Sequence, residues 1–215
     1  MPRILELFCG TGSVGSVFEA NGWDVTSVDI NPSCNPTICC SVLEIELDRW
    51  PPGYWDVVWA SPPCTLYSRA RTRGPVVDMT EANLISLHTV NLIKALKPRF
   101  WAIENPFSSR IWQVLPDLPY VVGSYCHYSD WGYQKTTRFA NNIERWKPRR
   151  CHHDCTNLVT NLATGARTRH AASAQRGSNR RGGPRFSQNE SYRIPSKLIE
   201  ELLRAIEDTI AADPR

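Results

Sequence analysis

The first half of the chain alternates strand-like and helix-like patterns, and this alternation limits the fold more than any other feature. Residues 3–8 form an apolar run typical of a buried strand, the turn Gly10-Thr11-Gly12-Ser13 follows, and apolar residues then recur at helical spacing over 14–18. Further strand patterns cover residues 24–29, 37–40, 55–60, 99–103, 120–125 and 138–141, and an amphipathic helix pattern covers 80–96. Strands alternating with helices predict an α/β fold whose sheet is parallel or mostly parallel and covered on both faces.

The last fifth of the chain has a different character. Residues 166–188 are rich in Arg, Ser, Gly and Asn, which predicts a mobile loop. The tripeptide Ile194-Pro195-Ser196 then resembles a helix start. One face of the predicted final helix is apolar, with Leu198, Ile199, Leu202, Leu203, Ile206 and Ile210. We expect this helix to dock on the core.

Composition sets the class of protein. With 215 residues and 41% hydrophobic residues, the chain can form one domain with a small appendage. No apolar stretch approaches the roughly 18 residues of a membrane span, and Arg3 and Glu6 interrupt any signal-peptide pattern. We therefore expect an intracellular protein that is not secreted and has no membrane partner. Its eight cysteines are expected to be free thiols or metal ligands rather than disulfides.

Positive charge is concentrated between residues 144 and 186. The net charge is only +4, but this segment carries ten Lys and Arg residues against two acids, Glu144 and Asp154. Such a block predicts a surface that contacts a polyanion. A solvated loop with no ligand is the alternative.

The glycine turn is a candidate ligand site. It lies between a strand and a helix, where close backbone approach and a helix N-terminus suit a nucleotide-like ligand. Asp29 ends the next strand, where a carboxylate can accept hydrogen bonds from ribose hydroxyls. Gly15 completes a G-x-G-x-x-G spacing, so a nicotinamide dinucleotide remains an alternative on this motif alone.

Two further strand ends carry reactive side chains. Ser61-Pro62-Pro63-Cys64 follows the fourth strand pattern, and Glu104-Asn105-Pro106 follows the fifth. A cysteine on a rigid diproline turn, beside a carboxyl at the same sheet edge, can add to a pyrimidine ring and make it electron-rich. The alternatives are a buried structural cysteine and a strand-end salt bridge.

Four segments taken in order resemble the cytosine-C5 DNA methyltransferases. They are Leu5-Glu6-Leu7-Phe8-Cys9-Gly10-Thr11-Gly12, Val28-Asp29-Ile30-Asn31-Pro32, Ser61-Pro62-Pro63-Cys64 and Ile103-Glu104-Asn105-Pro106. The resemblance runs from about residue 3 to about residue 141. It implies a Rossmann-like methyltransferase fold, S-adenosylmethionine as cofactor and DNA as partner. Amino-group methyltransferases use a similar diproline turn but need an aromatic residue where Cys64 stands.

The resemblance also assigns residues. Cys64 is the implied nucleophile for cytosine C6, and Glu104 is its acidic partner at N3. The segment Gly132-Tyr133-Gln134-Lys135-Thr136-Thr137-Arg138 resembles a degenerate glutamine-arginine motif, so Arg138 joins the catalytic set. The implied cofactor contacts are Phe8, Gly10, Thr11, Gly12, Asp29, Ile30 and Pro62. The Cys64 thiol must be partly ionised, which a nearby arginine or a helix N-terminus favours, and Arg69, Arg71 and Arg138 are the candidate arginines.

The chain departs from the family after residue 142. The family's sizeable target-recognition domain has no room here, so the chain resembles compact phage- or virus-type members. We expect a catalytic core over 1–142, a reduced basic insert over 143–190 and a terminal helix over 191–215 that returns to the core. Residues 188–191 weakly match a late family motif. The expected site of action is the cytoplasm or nucleus of a host cell.

The insert contains Cys151-His152-His153-Asp154-Cys155. The spacing of Cys151, His153 and Cys155 suits a small zinc knuckle, with Cys126, His127 and His170 as further candidate ligands. A polar, reduced cysteine pair is the alternative.

Two function classes remain open on the sequence. The first is an enzyme that methylates cytosine C5 in DNA, with RNA or a free pyrimidine nucleotide as alternative substrates. The second is a methyltransferase-fold nucleic-acid-binding module whose activity is weak or depends on a protein partner for target recognition. Cys64 and Glu104 favour the first, and the missing recognition domain favours the second.

Overall fold

A mostly parallel seven-stranded sheet forms the centre of the protein. The computed structural model describes residues 1–65, 67, 78–115, 117–160, 164–172 and 188–213. The strands are β1 Arg3–Leu7, β2 Asp24–Asp29, β3 Ile38–Cys39, β4 Val57–Ala60, β5 Phe100–Pro106, β6 Tyr120–Ser124, β7 Thr136–Asn141, β8 Leu158–Thr160 and β9 Arg167–His170. The helices are α1 Gly15–Ala20, α2 Thr80–Leu96, α3 Ile111–Val114, α4 Gln188–Tyr192 and α5 Ser196–Ala212.

The strand order is β3-β2-β1-β4-β5-β7-β6. Strands β1 to β5 pair in parallel, whereas β7 runs antiparallel to both β5 and β6. This arrangement confirms the predicted α/β fold with its mostly parallel sheet. The predicted strands are all present, and the predicted helix over 80–96 has the same bounds in the structure.

The sheet is buried on both faces because its central strands are apolar at successive positions. In β4 all four residues are buried, as expected for a strand covered from both sides. Side chains alternate between two cores, so Ile4 packs with α1 and α5 while Leu5 packs with α2 and α3. The final helix α5 docks on the core as predicted, and Leu198 and Leu202 are fully buried there.

The described parts of the predicted mobile loop at 166–188 contain regular secondary structure. Strand β9 pairs antiparallel with β8 in a separate two-stranded sheet, so the predicted loop at 166–188 begins with a strand and ends in α4. Backbone hydrogen bonds to β8 hold this strand in place. An arginine-rich sequence has no hydrophobic pattern from which such pairing could be predicted. Residues 173–187 of the predicted loop lie outside the described residues. The boundaries at 142 and 190 stay a prediction.

Replacing Leu202 in α5 tests the docking of the final helix. Leu202→Ala removes a fully buried side chain, so we expect the free energy of unfolding to fall by about 2–5 kcal/mol. Urea denaturation followed by circular dichroism measures it. The matched control is Glu200→Ala on the exposed face of α5, which should change stability by less than about 0.5 kcal/mol. Equal effects of the two substitutions would contradict the docking.

Candidate active site

One cavity of about 550 Å³ lies where strands β1, β2, β4 and β5 end. This volume falls in the usual range for a small-molecule site, roughly 300–1,000 Å³. Most of the residues singled out from the sequence line it: Phe8, Gly10, Thr11, Asp29, Ile30, Pro62, Cys64 and Glu104. The glycine turn, the diproline cysteine and the strand-end glutamate therefore face a common space.

The glycine turn passes under the cavity in an unusual backbone conformation. Gly10 and Gly12 have φ values of 49° and 66°, in the left-handed region that favours glycine. Phe8 also has a positive φ, 60°, directly after β1. Asp29 holds the turn in place, because its Oδ2 accepts a hydrogen bond from the Gly10 backbone N–H at 2.9 Å. A turn fixed in this way presents backbone rather than side chains to a ligand.

Glu6 lies buried at the end of β1, beneath the turn. Its Oε2 accepts a hydrogen bond from the Gly15 N–H at 2.9 Å. A Cβ at position 15 would lie 2.6 Å from the same oxygen, which explains the third glycine of the spacing. Burial raises the pKa of Glu6 to about 7. This carboxyl was not among the residues predicted for the site.

Cys64 and Glu104 line the same cavity. The Asn105 side chain donates to the backbone carbonyl of Pro62 at 2.8 Å, and this bond ties the diproline turn to β5. The Tyr125 hydroxyl donates to Glu104 Oε1 at 3.0 Å. Burial raises the pKa of the Tyr125 hydroxyl well above its usual value, so it remains a proton donor.

Among the described residues, Lys135 places a positive charge beside Glu104. Its Nζ lies 3.8 Å from Glu104 Oε1, and the residue lines the cavity. Burial and, next, the Glu104 charge raise the pKa of the Cys64 thiol, while Lys135 opposes them and lowers it. The net direction is toward the neutral thiol. The expectation that an arginine favours its ionisation stays a prediction for Arg69 and Arg71.

The structure does not bring Arg138 to the cavity. Its guanidinium packs between two aromatic rings, 4.4 Å from the ring centre of Trp112 and 3.8 Å from that of Tyr120. Arg138 lies opposite Asn105 in the β5–β7 pairing, whereas Phe139 lies opposite Glu104. Since alternate residues of a strand face opposite sides, Arg138 shares the Asn105 face and not the Glu104 face.

The other expected cations and polar residues have different outcomes. Arg69 and Arg71 lie outside the described residues. Gln134 donates to the backbone carbonyl of Cys151 at 3.4 Å and does not line the cavity. Tyr192 at the end of α4 does line it, close to the weakly matching late motif. The signal for Lys135 was present in the sequence, since it follows Gln134 directly in the degenerate motif.

Four buried metal-ligating side chains meet outside the cavity, and we name them the Cys3His cluster. They are Cys126, Cys151, Cys155 and His170, and their ligand atoms all lie within 4.8 Å of one another. Two of the three predicted ligands, Cys151 and Cys155, belong to this cluster, whereas the third, His153, does not. His153 has φ 66° and is exposed at the turn between the two cysteines, while His170 on β9 comes from a distant part of the chain.

Comparisons with known proteins identify the family. No protein-family model matches the chain. A curated relative, the probable DNA (cytosine-5)-methyltransferase of Frog virus 3 (isolate Goorha), is 34% identical over 216 residues, which cover 94% of this chain and 98% of the relative. The chain belongs to the DNA (cytosine-5)-methyltransferase family. Membership implies S-adenosylmethionine as methyl donor rather than the nicotinamide ligand that the glycine spacing left open.

Solved structures of more distant methyltransferases resemble parts of the chain. A DNA modification methyltransferase encoded within an Escherichia coli prophage matches 69% of this chain with a TM-score of 0.49 and 16% identity. The Dnmt2 methyltransferase of S. pombe matches 65% with a TM-score of 0.47 and 16% identity. The chain spans about half the length of these two, 51% and 48%. Among the residues the structure describes, no helix is long and apolar enough to cross a membrane.

The cavity fits the cofactor that the methyltransferase family implies. The left-handed glycine turn leaves backbone exposed for a close ligand, and the Asp29 carboxylate lies at the cavity wall. Asp29 already accepts the N–H groups of Gly10 and Asn31, at 2.9 and 2.8 Å. Each carboxylate oxygen retains further acceptor capacity, so hydroxyl groups can bind here as well.

The Cys64 thiol provides a pH test of the site. We expect the rate of alkylation of Cys64 by iodoacetamide to rise with pH at a midpoint above that of a free peptide of residues 61–68, because burial raises the pKa. Lys135→Met should move the midpoint further upward, since the opposing ammonium is lost. Mass spectrometry of the Cys64 peptide gives the rate, and Lys94→Met is the matched control. A midpoint below that of the free peptide would contradict this environment.

Glu6 provides a second pH test, on stability. Its folded-state pKa is about 7 against an ordinary 4.5, so the folded protein retains a proton that the unfolded chain releases. We therefore expect Glu6 to lower the free energy of unfolding as pH rises from about 4.5 to 7, by about 3 kcal/mol in full. Glu6→Gln should remove this loss in urea denaturation series at pH 4 to 8. Glu19→Gln is the matched control, and a Glu6→Gln effect independent of pH would refute the assignment.

Proposed function

We propose that the chain transfers a methyl group from S-adenosylmethionine to C5 of cytosine in DNA. One observation carries the proposal: Cys64 and Glu104 line the same cavity as the glycine turn and Asp29. A methyl donor bound at Asp29 and a cytosine ring bound at Cys64 would then lie in the same cavity. When bound, the donor supplies an electrophilic methyl group on a sulfonium.

The proposed chemistry uses Cys64 as the nucleophile. Its sulfur, once deprotonated, forms a bond to C6 of the ring, and the electron pair of the C5–C6 double bond moves toward N3 and C5. Glu104 donates a hydrogen bond or a proton at N3, where charge develops. The electron-rich C5 would then bond to the methyl carbon as the donor's carbon–sulfur bond breaks to leave a neutral thioether. A base would remove the C5 proton, and that electron pair would restore the C5–C6 double bond as the C6–sulfur bond breaks and releases the Cys64 thiolate.

Lys135 and Tyr125 hold the Glu104 carboxyl group in position in this scheme. In our proposed catalytic set, Lys135 takes the place of Arg138. Lys135 lies within 3.8 Å of Glu104, and Tyr125 donates to it at 3.0 Å. Burial disfavours the Cys64 thiolate and the Lys135 charge favours it, so we propose that Lys135 stabilises the thiolate when the substrate is bound. The proposed cofactor contacts are Phe8, Gly10, Thr11, Gly12, Asp29, Ile30 and Pro62.

The target ring must leave the DNA duplex to reach this cavity, because stacking hides C5 and C6. The basic segment 143–190 is proposed to hold the DNA backbone, with salt-sensitive affinity and little sequence choice. Arg150 lies over the exposed ring of Phe107, 5.3 Å from its centre, just after Pro106 at the cavity wall.

A protein partner would then supply target recognition, and the enzyme would act where host-cell DNA is available, in the cytoplasm or nucleus. Zinc is proposed as a second, structural component at the Cys3His cluster.

Methyl transfer with matched variants tests the proposal. We expect tritiated methyl transfer from S-adenosylmethionine to duplex DNA, and kcat should fall by at least about 10³-fold in Cys64→Ala, which removes the nucleophile. Glu104→Gln should lose about 10²- to 10⁴-fold. Cys39→Ala and Glu144→Gln, on exposed residues outside the cavity, are the controls.

The same assay separates the alternatives. Transfer to RNA or to dCMP in preference to DNA would change the substrate class but keep the mechanism. Undiminished transfer by Cys64→Ala would end the covalent scheme. DNA binding without any transfer would favour the binding-module function.

A further inference from the structure

Three thiols and one imidazole meet at a buried point where three separate segments of the chain converge. Cys126 follows β6, Cys151 and Cys155 bracket a tight turn, and His170 ends β9. All four residues are buried, with 2%, 5%, 6% and 4% of their surface exposed. We infer that a zinc ion bound by the Cys3His cluster holds in place the segment that presents Tyr125 and Lys135 to Glu104. The catalytic part of this inference rests on the proposed function.

The distances fit tetrahedral zinc. Zinc–sulfur bonds of about 2.3 Å and zinc–nitrogen bonds of about 2.0 Å give a sulfur-to-nitrogen edge of about 3.5 Å in a tetrahedron. The Sγ atoms of Cys151 and Cys155 lie 3.6 and 3.2 Å from Nε2 of His170. One ion at the centre can therefore contact all four ligands with small side-chain adjustments.

The chemistry of the ligands selects the metal. Three sulfurs and one nitrogen form a donor set that structural zinc prefers, whereas magnesium and calcium prefer oxygen. Zinc binds cysteine as the thiolate, so binding of the ion would release the thiol protons. A second group, His127, Cys151 and Asp154, shares Cys151 but contains one exposed carboxylate and one sulfur.

A pair of side chains outside the cluster supports the same junction. His127 follows Cys126, and its Nε2 lies 3.2 Å from Oδ1 of Asp154, which precedes Cys155. The backbone N–H of His152 donates to the same oxygen at 3.0 Å. The two ligand-bearing loops therefore meet at an outer contact as well as at the proposed ion.

One peptide bond and one hydrogen bond connect the cluster to the Glu104 carboxylate. Cys126 is the direct neighbour of Tyr125, whose hydroxyl donates to Glu104. The Tyr125 backbone N–H donates to the carbonyl of Lys135 at 3.1 Å. A displaced Cys126 would move Tyr125, and Lys135 would follow through that hydrogen bond.

Further hydrogen bonds join the metal ligands to the same segment. The N–H of Cys151 donates to Oγ of Ser124 at 3.1 Å. The Asn157 side chain donates to the carbonyls of Cys126 and Ser129, at 2.8 and 2.7 Å, and accepts from the N–H of Gly132 at 3.0 Å. The segment from 124 to 135 is thus fastened at both ends to the loops that carry the metal ligands.

The test combines metal content, activity and local protection in the full chain. We expect about one zinc per chain after purification from zinc-supplemented medium, and a loss of zinc in Cys155→Ser and His170→Gln. In these variants kcat should fall on the order of 10- to 100-fold, as for other disturbed supporting contacts of a metal site. S-adenosylmethionine affinity should change by less than about threefold, because the glycine turn lies on other strands, and retained binding shows that the variant is folded.

His152→Asn is the matched control. It alters an exposed histidine of the same turn, keeps the backbone N–H that donates to Asp154, and should retain both zinc and activity. Tyr125→Phe distinguishes loss of the Tyr125–Glu104 hydrogen bond from loss of the ion, because this variant should lose activity and keep zinc.

Hydrogen exchange makes the result independent of catalysis. Removal of zinc by a chelator should speed exchange over residues 120–136 and leave residues 3–29 protected, and added zinc should reverse it. If wild-type protein transfers no methyl group, the proposed function fails while these two measurements still decide the metal site. Protein purified without metal, or unchanged exchange over 120–136 after its removal, would overturn the inference. Full kcat in zinc-free Cys155→Ser would do so as well.

Discussion

Parallel pairing in register is the constraint on which the rest of the structure depends. Leu7 of β1 pairs with Ala60 of β4, which pairs in turn with Ile103 of β5. The residues that follow these positions must therefore emerge at one level and at one edge of the sheet. The glycine turn and the diproline turn follow the ends of β1 and β4, and Glu104 directly follows the paired residue Ile103 within β5. No long-range contact between their side chains is needed to bring them together.

The antiparallel strand β7 completes the site for the same geometric reason. Because it runs opposite to β5, it begins at the edge where β5 ends, and Pro106 pairs with Thr137. Lys135, the residue before β7, therefore arrives beside Glu104. Strand β6 ends at that edge too, which brings Tyr125 to the same carboxylate. The directions of β6 and β7 thus explain why Tyr125 and Lys135 lie beside Glu104.

The sequence predicted what depends on local pattern and missed what depends on pairing. Short motifs predicted the strand and helix positions, the glycine turn and the placement of Cys64 near Glu104. The structure confirms the fold. Arg138 was carried over from a linear motif, but a strand sends successive side chains to opposite faces, so a shift of one residue changes the face. His170 was only a secondary candidate because its approach to Cys151 and Cys155 depends on β8–β9 pairing, which the polar sequence does not indicate. Lys135 was visible in the sequence, but its role depends on where β7 begins.

Trapping the substrate on the enzyme tests most directly whether Cys64 attacks a cytosine in this cavity. In DNA with 5-fluorocytosine, the group at C5 cannot leave as a proton does, so the C6–sulfur bond should persist after methyl transfer. Peptide mass spectrometry should then find the methylated, fluorinated nucleotide on the peptide that contains Cys64, only when S-adenosylmethionine is present. Methyl transfer to ordinary DNA without such an adduct, or an adduct on another cysteine, would contradict the account.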